Sequence, residues 1–288
     1  MRGHRAFLMI LPACLLIGAV AVFPIVYAFT ISLDRRMPVF GISYFVGVDN
    51  YRFLLHDSRF WQSFLNTAYF SLLSVSLELA VGLILALLLS RAFRGRGLFR
   101  ALVLIPWAIP TVVSARMWEW IFNPESGLLN YLLQQIGLLS SPLNWLGDRV
   151  FAMHALILAD VWKTSPFAAL ILLAGLQMIP EELYEAARVD GAGRWQILRR
   201  ITVPLLLPFI LIALLFRMLD AFRIFDLVYV LTGGGPANTT ETLSIYAYKL
   251  LFQTLQFGYG SAVAVATFLI VLLISAVCIV LLRRQSGG

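Results

Sequence analysis

Arg217, Asp220, Arg223 and Asp226 recur at every third position of an otherwise apolar stretch. At about 100° per residue, three-residue steps drift by about 60°, so on one helix all four fall within half of its surface. Asp160 with Lys163, and Arg116 with Glu119, repeat the spacing in two other apolar stretches. Opposite charges three residues apart on a helix are natural partners. Such groups are suited to binding rather than bond-making. Charged side chains take hydroxyls through charge-assisted hydrogen bonds, and aromatic rings stack on the apolar face of a sugar. The same residues could equally serve as structural ion pairs between helices, and the spacing alone leaves both readings open.

Catalytic patterns are missing. No Gly-x-x-x-x-Gly-Lys-[Ser/Thr] loop occurs, and neither lysine, Lys163 or Lys249, follows a glycine. No His-Glu-x-x-His pair or nucleophile elbow is present, and His4, His56 and His154 are scattered. The chain is therefore expected to be no enzyme, to hold no metal and no cofactor, and to leave nucleotide binding to other subunits.

The elements that must carry these charges follow from composition. The chain has 288 residues, 60% hydrophobic and 13% charged, against about 45–50% and about 25% in soluble domains. The apolar residues come in blocks of about 20 or more, the length a helix needs to cross about 30 Å of hydrocarbon. Six spans are expected, at about 7–33, 64–90, 98–122, 151–178, 204–231 and 258–282, making one all-α polytopic membrane domain over residues 1–288. Leu11-Pro12-Ala13-Cys14 resembles a lipoprotein processing site, but the apolar run continues through Ile31 and reads as a membrane helix. Cys14 and Cys278 read as thiols buried in apolar runs.

The net charge of +7 does not point to nucleic acid, because the Arg residues sit at the ends of apolar runs. With an inner N-terminus, Arg2, Arg5, Arg91, Arg94, Arg96, Arg100, Arg188, Arg194, Arg199, Arg200, Arg283 and Arg284 lie inside. Half as many, Arg35, Arg36, Arg52, Arg59, Arg149 and Lys249, lie outside, which puts both termini in the cytoplasm. The Asp and aromatic content of 34–63 reads as a folded external cap. Arg217 then lies about 12 residues from the inner end of its span, about 18 Å deep, and Glu78 in the second span has no evident partner.

The inner loop 179–203 is the most specific segment. Pro180 suits a first helical turn, and Glu181 and Glu182 complement the positive end of a helix. Gly191 and Gly193 supply a turn, and a second short helix over 194–202 ends at Pro204. Glu185-Ala186-Ala187, then Gly191, then Ile201-Thr202-Val203-Pro204 resembles the Glu-Ala-Ala (EAA motif) loop of type I ABC importer permeases. Leu104-Ile105-Pro106-Trp107-Ala108-Ile109-Pro110 and Leu231-Thr232-Gly233-Gly234-Gly235-Pro236 are similar to the carbohydrate-uptake branch, with its maltose and trehalose transporters.

This resemblance implies a permease subunit, in a bacterial-type plasma membrane, that translocates a disaccharide such as trehalose or maltose. It implies a second homologous permease subunit, two ATPase subunits that bind ATP and Mg, and an external sugar-binding protein. Glu185, Ala186, Ala187, Asp190 and Gly191 would couple to the ATPase. Trp107, Lys163, Thr164, Phe167, Arg217, Asp220, Ala221 and Ile224 would contact the sugar. A secondary transporter driven by an ion gradient is the rival class; it would use the intramembrane charges but has no role for the loop.

Overall fold

The computed structural model describes residues 2–91 and 94–286, and the side chains of 10–91 and 94–283. Arg2, Arg5 and Arg284, part of the expected inner flanks, lie outside the described side chains. The chain divides into two compact units, Met1–Gln62 with Leu243–Ile270, and Ser63–Thr242 with Val271–Gly288.

In the first unit, α1 (Arg2–Ile17) and α2 (Phe23–Ser32) join through a π-helical turn at Gly18–Val22. Pro24 lies just beyond that turn. A proline has no N–H to give and crowds the carbonyl four residues back, and a wider turn accommodates both defects without ending the helix. A β-hairpin follows, β1 (Asp34–Met37) antiparallel to β2 (Ile42–Phe45), with Gly41 at φ +64° in the connection. Then come α3 (Asp49–His56) and the start of α4 (Ser58–Ser90). The expected cap over 34–63 is thus folded.

Asp57, just before α4, accepts hydrogen bonds from the hydroxyls of Tyr246 and Tyr259, each at 2.5 Å. Burial works against its charge. The two tyrosine donors, with the backbone N–H of Arg59 and Phe60, outweigh it and hold the carboxyl below its ordinary pKa.

The second unit is built around α8 (Phe151–Leu176), the most enclosed helix, against which α5 (Arg96–Ala108) and α11 (Val203–Phe222) pack. Its buried positions include a run of small residues, Ala152, Ala155, Ala159, Ala168, Ala169 and Gly175, among larger ones such as Leu156 and Leu172. In lipid the hydrophobic effect does not drive helices together, so close van der Waals approach at small residues must. Along α4, Ser63, Thr67, Ser71, Ser74 and Glu78 form one buried stripe at three- and four-residue spacing, continued by Gly82. A Cβ on Gly82 would lie 2.8 Å from the Ala168 Cβ and 3.1 Å from the Ala169 backbone nitrogen. The opposite face of α4 shows Leu65, Leu72, Ile84 and Leu88, as a lipid-facing surface should.

Two expected spans need correction. The third, 98–122, is not one helix: α5 ends at Ala108, α6 (Thr111–Ile121) begins after Pro110, and their axes bend by 92°. Pro110 disfavours helical backbone at Ile109, which is extended at ψ 133°. Among the described residues five helices are long and apolar enough to span a membrane, and a sixth span is reached if the bent pair counts as one.

The fifth span, expected to run to 231, ends at Phe222, and α12 (Asp226–Leu231) starts a separate turn. Asp226 sits in the first turn of α12, where a carboxylate favours the positive helix end. The half-surface argument for the four charges therefore covers only Arg217 and Asp220 on α11.

The loop 179–203 carries α9 (Glu181–Val189) and α10 (Arg194–Ile197). The expected stop at Pro204 does not occur. A π-turn at Leu198–Thr202 absorbs the proline, and the helix runs unbroken from Arg194 to Phe222. The remaining helices are α7 (Leu128–Gln135), α13 (Leu243–Tyr248) and α14 (Phe257–Ser286). Asn130 on α7 ties its loop together through Pro124, Leu143 and Trp145.

The approach of α4 to α8 gives a direct test. Gly82→Ala is expected to cost about 1–3 kcal/mol by overpacking, read as a lower unfolding temperature of the purified protein. Gly97→Ala, where the added methyl meets nothing within 4 Å, serves as the control.

Candidate functional site

A cavity of about 290 Å³ opens in the second unit where α5 breaks from α6 and α11 ends. The break supplies Trp107 and Thr111, α8 supplies Asp160, Lys163 and Thr164, and α11 supplies Arg217, Asp220 and Ala221. The irregular segment after α11 adds Arg223, Ile224 and Phe225. Seven of the eight residues expected to contact the sugar are therefore brought together. Phe167 does not line the cavity. Its ring stacks beneath Trp107 at 5.6 Å and meets Phe216 edge-on at 6.2 Å, so it backs the indole rather than facing the space.

Inside the wall lies a salt-bridge cluster that sequence spacing only half described. The Arg217 guanidinium grips Glu78 in a two-point fork, Nε to Oε2 at 2.5 Å and Nη2 to Oε1 at 3.1 Å. Nη2 also reaches Asp160 at 3.5 Å and Nη1 reaches Asp220 at 3.4 Å. Glu78 is fully enclosed and Arg217 is 5% exposed. A lone charge there would be very costly, and a forked pair with saturated lone pairs is the arrangement that offsets it.

Arg223 pairs with Asp220 at 3.1 Å, with both side chains more than half exposed. The expected Asp160–Lys163 pair does not form. Asp160 turns to Arg217, and Lys163, 8% exposed, meets no carboxylate in an ion pair among the described residues. Its ammonium keeps its donors for the cavity. Thr164 spends its own proton on the Asp160 carbonyl at 2.6 Å, leaving its oxygen to accept. Arg116 and Glu119 do pair, at 2.6 Å and well exposed, next to Trp120, away from this wall.

Glu78 is the member of this cluster whose partner spacing missed, because that partner lies 139 positions away. The signal available was the stripe of small polar residues along α4 that runs directly into it.

The loop 179–203 presents a different surface. Gly191 takes φ +76°, a conformation L side chains rarely adopt, and a Cβ there would meet nothing within 4 Å. The turn thus demands glycine for conformation, not for space. Arg188 bonds Glu181 at 2.6 Å and braces α9. Glu185, Ala186, Asp190 and Gly191 are exposed and Ala187 is half-buried. Val189 and Trp195 stand out at 88% and 71% exposure.

Comparison with known proteins matches this architecture. Residues 78–286 fit the family model described as binding-protein-dependent transport system inner membrane component. The chain is 46% identical to the trehalose/maltose transport system permease protein MalF of Thermococcus litoralis, covering 92% of this chain and 89% of that one. It is 41% identical to the trehalose transport system permease protein SugA of Mycobacterium tuberculosis, covering 98% and 90%. A chain in the crystal structure of a bacterial ABC transporter involved in the import of the acidic polysaccharide alginate superposes with a TM-score of 0.84. The two are 25% identical, with 98% of this chain and 96% of that one covered. The chain is thus a multi-pass ABC importer permease and belongs to the family of binding-protein-dependent transport system inner membrane components.

Proposed function

We propose that this chain is one of two permease subunits that pass an uncharged sugar, a disaccharide such as trehalose or maltose, across a bacterial-type plasma membrane. The observation that carries the reading is the composition of the cavity wall. Trp107 offers a ring for the apolar face of a pyranose, and Lys163, Thr164 and Asp220 offer donors and acceptors for hydroxyls. Charges balance within its lining: Asp160, Asp220 and Asp226 against Lys163, Arg217 and Arg223. A balanced wall favours a neutral polyol over an ion. The names of the two relatives, trehalose and maltose permeases, agree with that class.

The sugar arrives on an external binding protein, as the family's description implies. Power comes from two partner ATPase subunits that bind ATP and Mg. Both termini lie inside, with the segment 34–63 outside. Glu185, Ala186, Ala187, Asp190 and Gly191 form the coupling surface. In support, the loop exposes Val189 and Trp195 on either side of the turn at Gly191.

Two measurements test the reading. Asp220→Asn should assemble at normal yield, since Arg217 keeps Glu78 and Asp160 and Arg223 is exposed. It should bind sugar about tenfold or more weakly, the loss of one charge-assisted hydrogen bond. Full sugar-stimulated ATP hydrolysis in this variant would remove Asp220 from the site.

At the loop, Gly191→Asn should keep most uptake because Asn tolerates left-handed backbone. Gly191→Val should abolish uptake in a normally assembled complex, since a β-branched residue cannot hold that turn. Equal uptake in both variants would sever the turn from coupling.

A further inference from the structure

The Arg217 guanidinium has five N–H groups, and four of them are directed at carboxylates: two at Glu78, one at Asp160 and one at Asp220. Little of Arg217 is left to bind a substrate. Glu78 is fully enclosed, is absent from the cavity lining, and lies on α4, whereas Asp160 is on α8 and Arg217 and Asp220 are on α11. A two-point fork fixes the plane of a guanidinium as well as its position. The edge that reaches Asp160 and Asp220 is therefore set from behind, by a residue that does not itself line the cavity.

We propose that Glu78 is a positioning residue for the translocation site: its fork on Arg217 sets the placement of Asp160 and Asp220 at the cavity wall, and Arg217 is a brace rather than a sugar ligand. This rests on the reading of the cavity as the sugar site. The geometry gives the division of labour. Asp220, with its side chain 55% exposed, and Lys163, with no carboxylate in an ion pair, meet the sugar. Arg217 takes up the charge of Glu78 and part of that of Asp160. Without Glu78, the guanidinium would turn toward Asp160 and Asp220 and withdraw their oxygens from hydroxyl groups.

A purely structural bridge predicts something different. Buried ion pairs replaced on both sides by apolar residues of similar volume often leave stability unchanged or improved. The test uses the complete complex, with the second permease, the ATPases and the binding protein. Four variants are compared: Glu78→Gln, the double variant Glu78→Leu with Arg217→Met, Asp220→Asn and Trp107→Ala. Two quantities are read, the yield of assembled complex and the affinity for trehalose of complex trapped with ATP and vanadate.

The positioning role predicts that the double variant assembles at normal yield yet binds trehalose about tenfold more weakly or worse. Glu78→Gln should show the same loss of affinity wherever it assembles. Wild-type affinity in the double variant, with affinity lost in Asp220→Asn and Trp107→Ala, overturns the role of Glu78 and leaves the cavity assignment standing. Wild-type affinity in all four overturns the cavity assignment and the role of Glu78 with it. A double variant that fails to assemble while Glu78→Gln assembles and binds normally also overturns the proposal, since the pair is then a fastening alone.

Discussion

A guanidinium enclosed within the second unit's packed helices must be neutralised locally, and Arg217 sets the terms for everything around it. Three helices contribute carboxylates to it, Glu78 from α4, Asp160 from α8 and Asp220 from α11 itself. Helices in lipid gain little from apolar contact alone, so a shared ionic knot fixes their rotation in a way that leucine faces do not. The small residues of α4 and α8 follow from the same need. Glu78 on α4 and Asp160 on α8 must both reach one guanidinium, and Gly82 against Ala168 and Ala169 lets the two helices approach.

The cavity exists because two helices stop where others would continue. Pro110 turns the third span by 92°, and α11 ends at Phe222. Backbone outside a helix is tolerated at membrane depth where it lines a cavity or is covered by protein. The polar side chains gather at these breaks: Trp107 and Thr111 at one, Asp220 to Phe225 at the other. Wall charges that nearly cancel let an uncharged guest exchange hydrogen bonds with them without leaving a bare ion behind.

Much of this was legible in the residues. Apolar run length located the spans, and the charges of 217–226 marked one wall of the site. The glycines of the inner loop marked a turn that Gly191 makes at positive φ. What stayed hidden was anything set by pairing across helices. Asp160 read as the partner of Lys163 because the two are three residues apart, yet it turns to an arginine 57 positions away. Glu78 read as unpaired for the same reason. Helix ends were misjudged where prolines act in opposite ways, since Pro110 breaks a span and Pro204 is absorbed by a π-turn. Only the surrounding turn geometry separates those outcomes.

That π-turn has a mechanical meaning. Because Pro204 is absorbed, the exposed Trp195 after the Gly191 turn and Asp220 at the cavity belong to one unbroken rod, Arg194–Phe222. At 1.5 Å per residue, about 38 Å of helix separates them, so a tilt of about 5° about the loop end swings Asp220 by about 3 Å. That is the length of one hydrogen bond. A rod of this kind acts as a lever, so a small tilt at its loop end displaces Asp220 and the cavity wall at its far end.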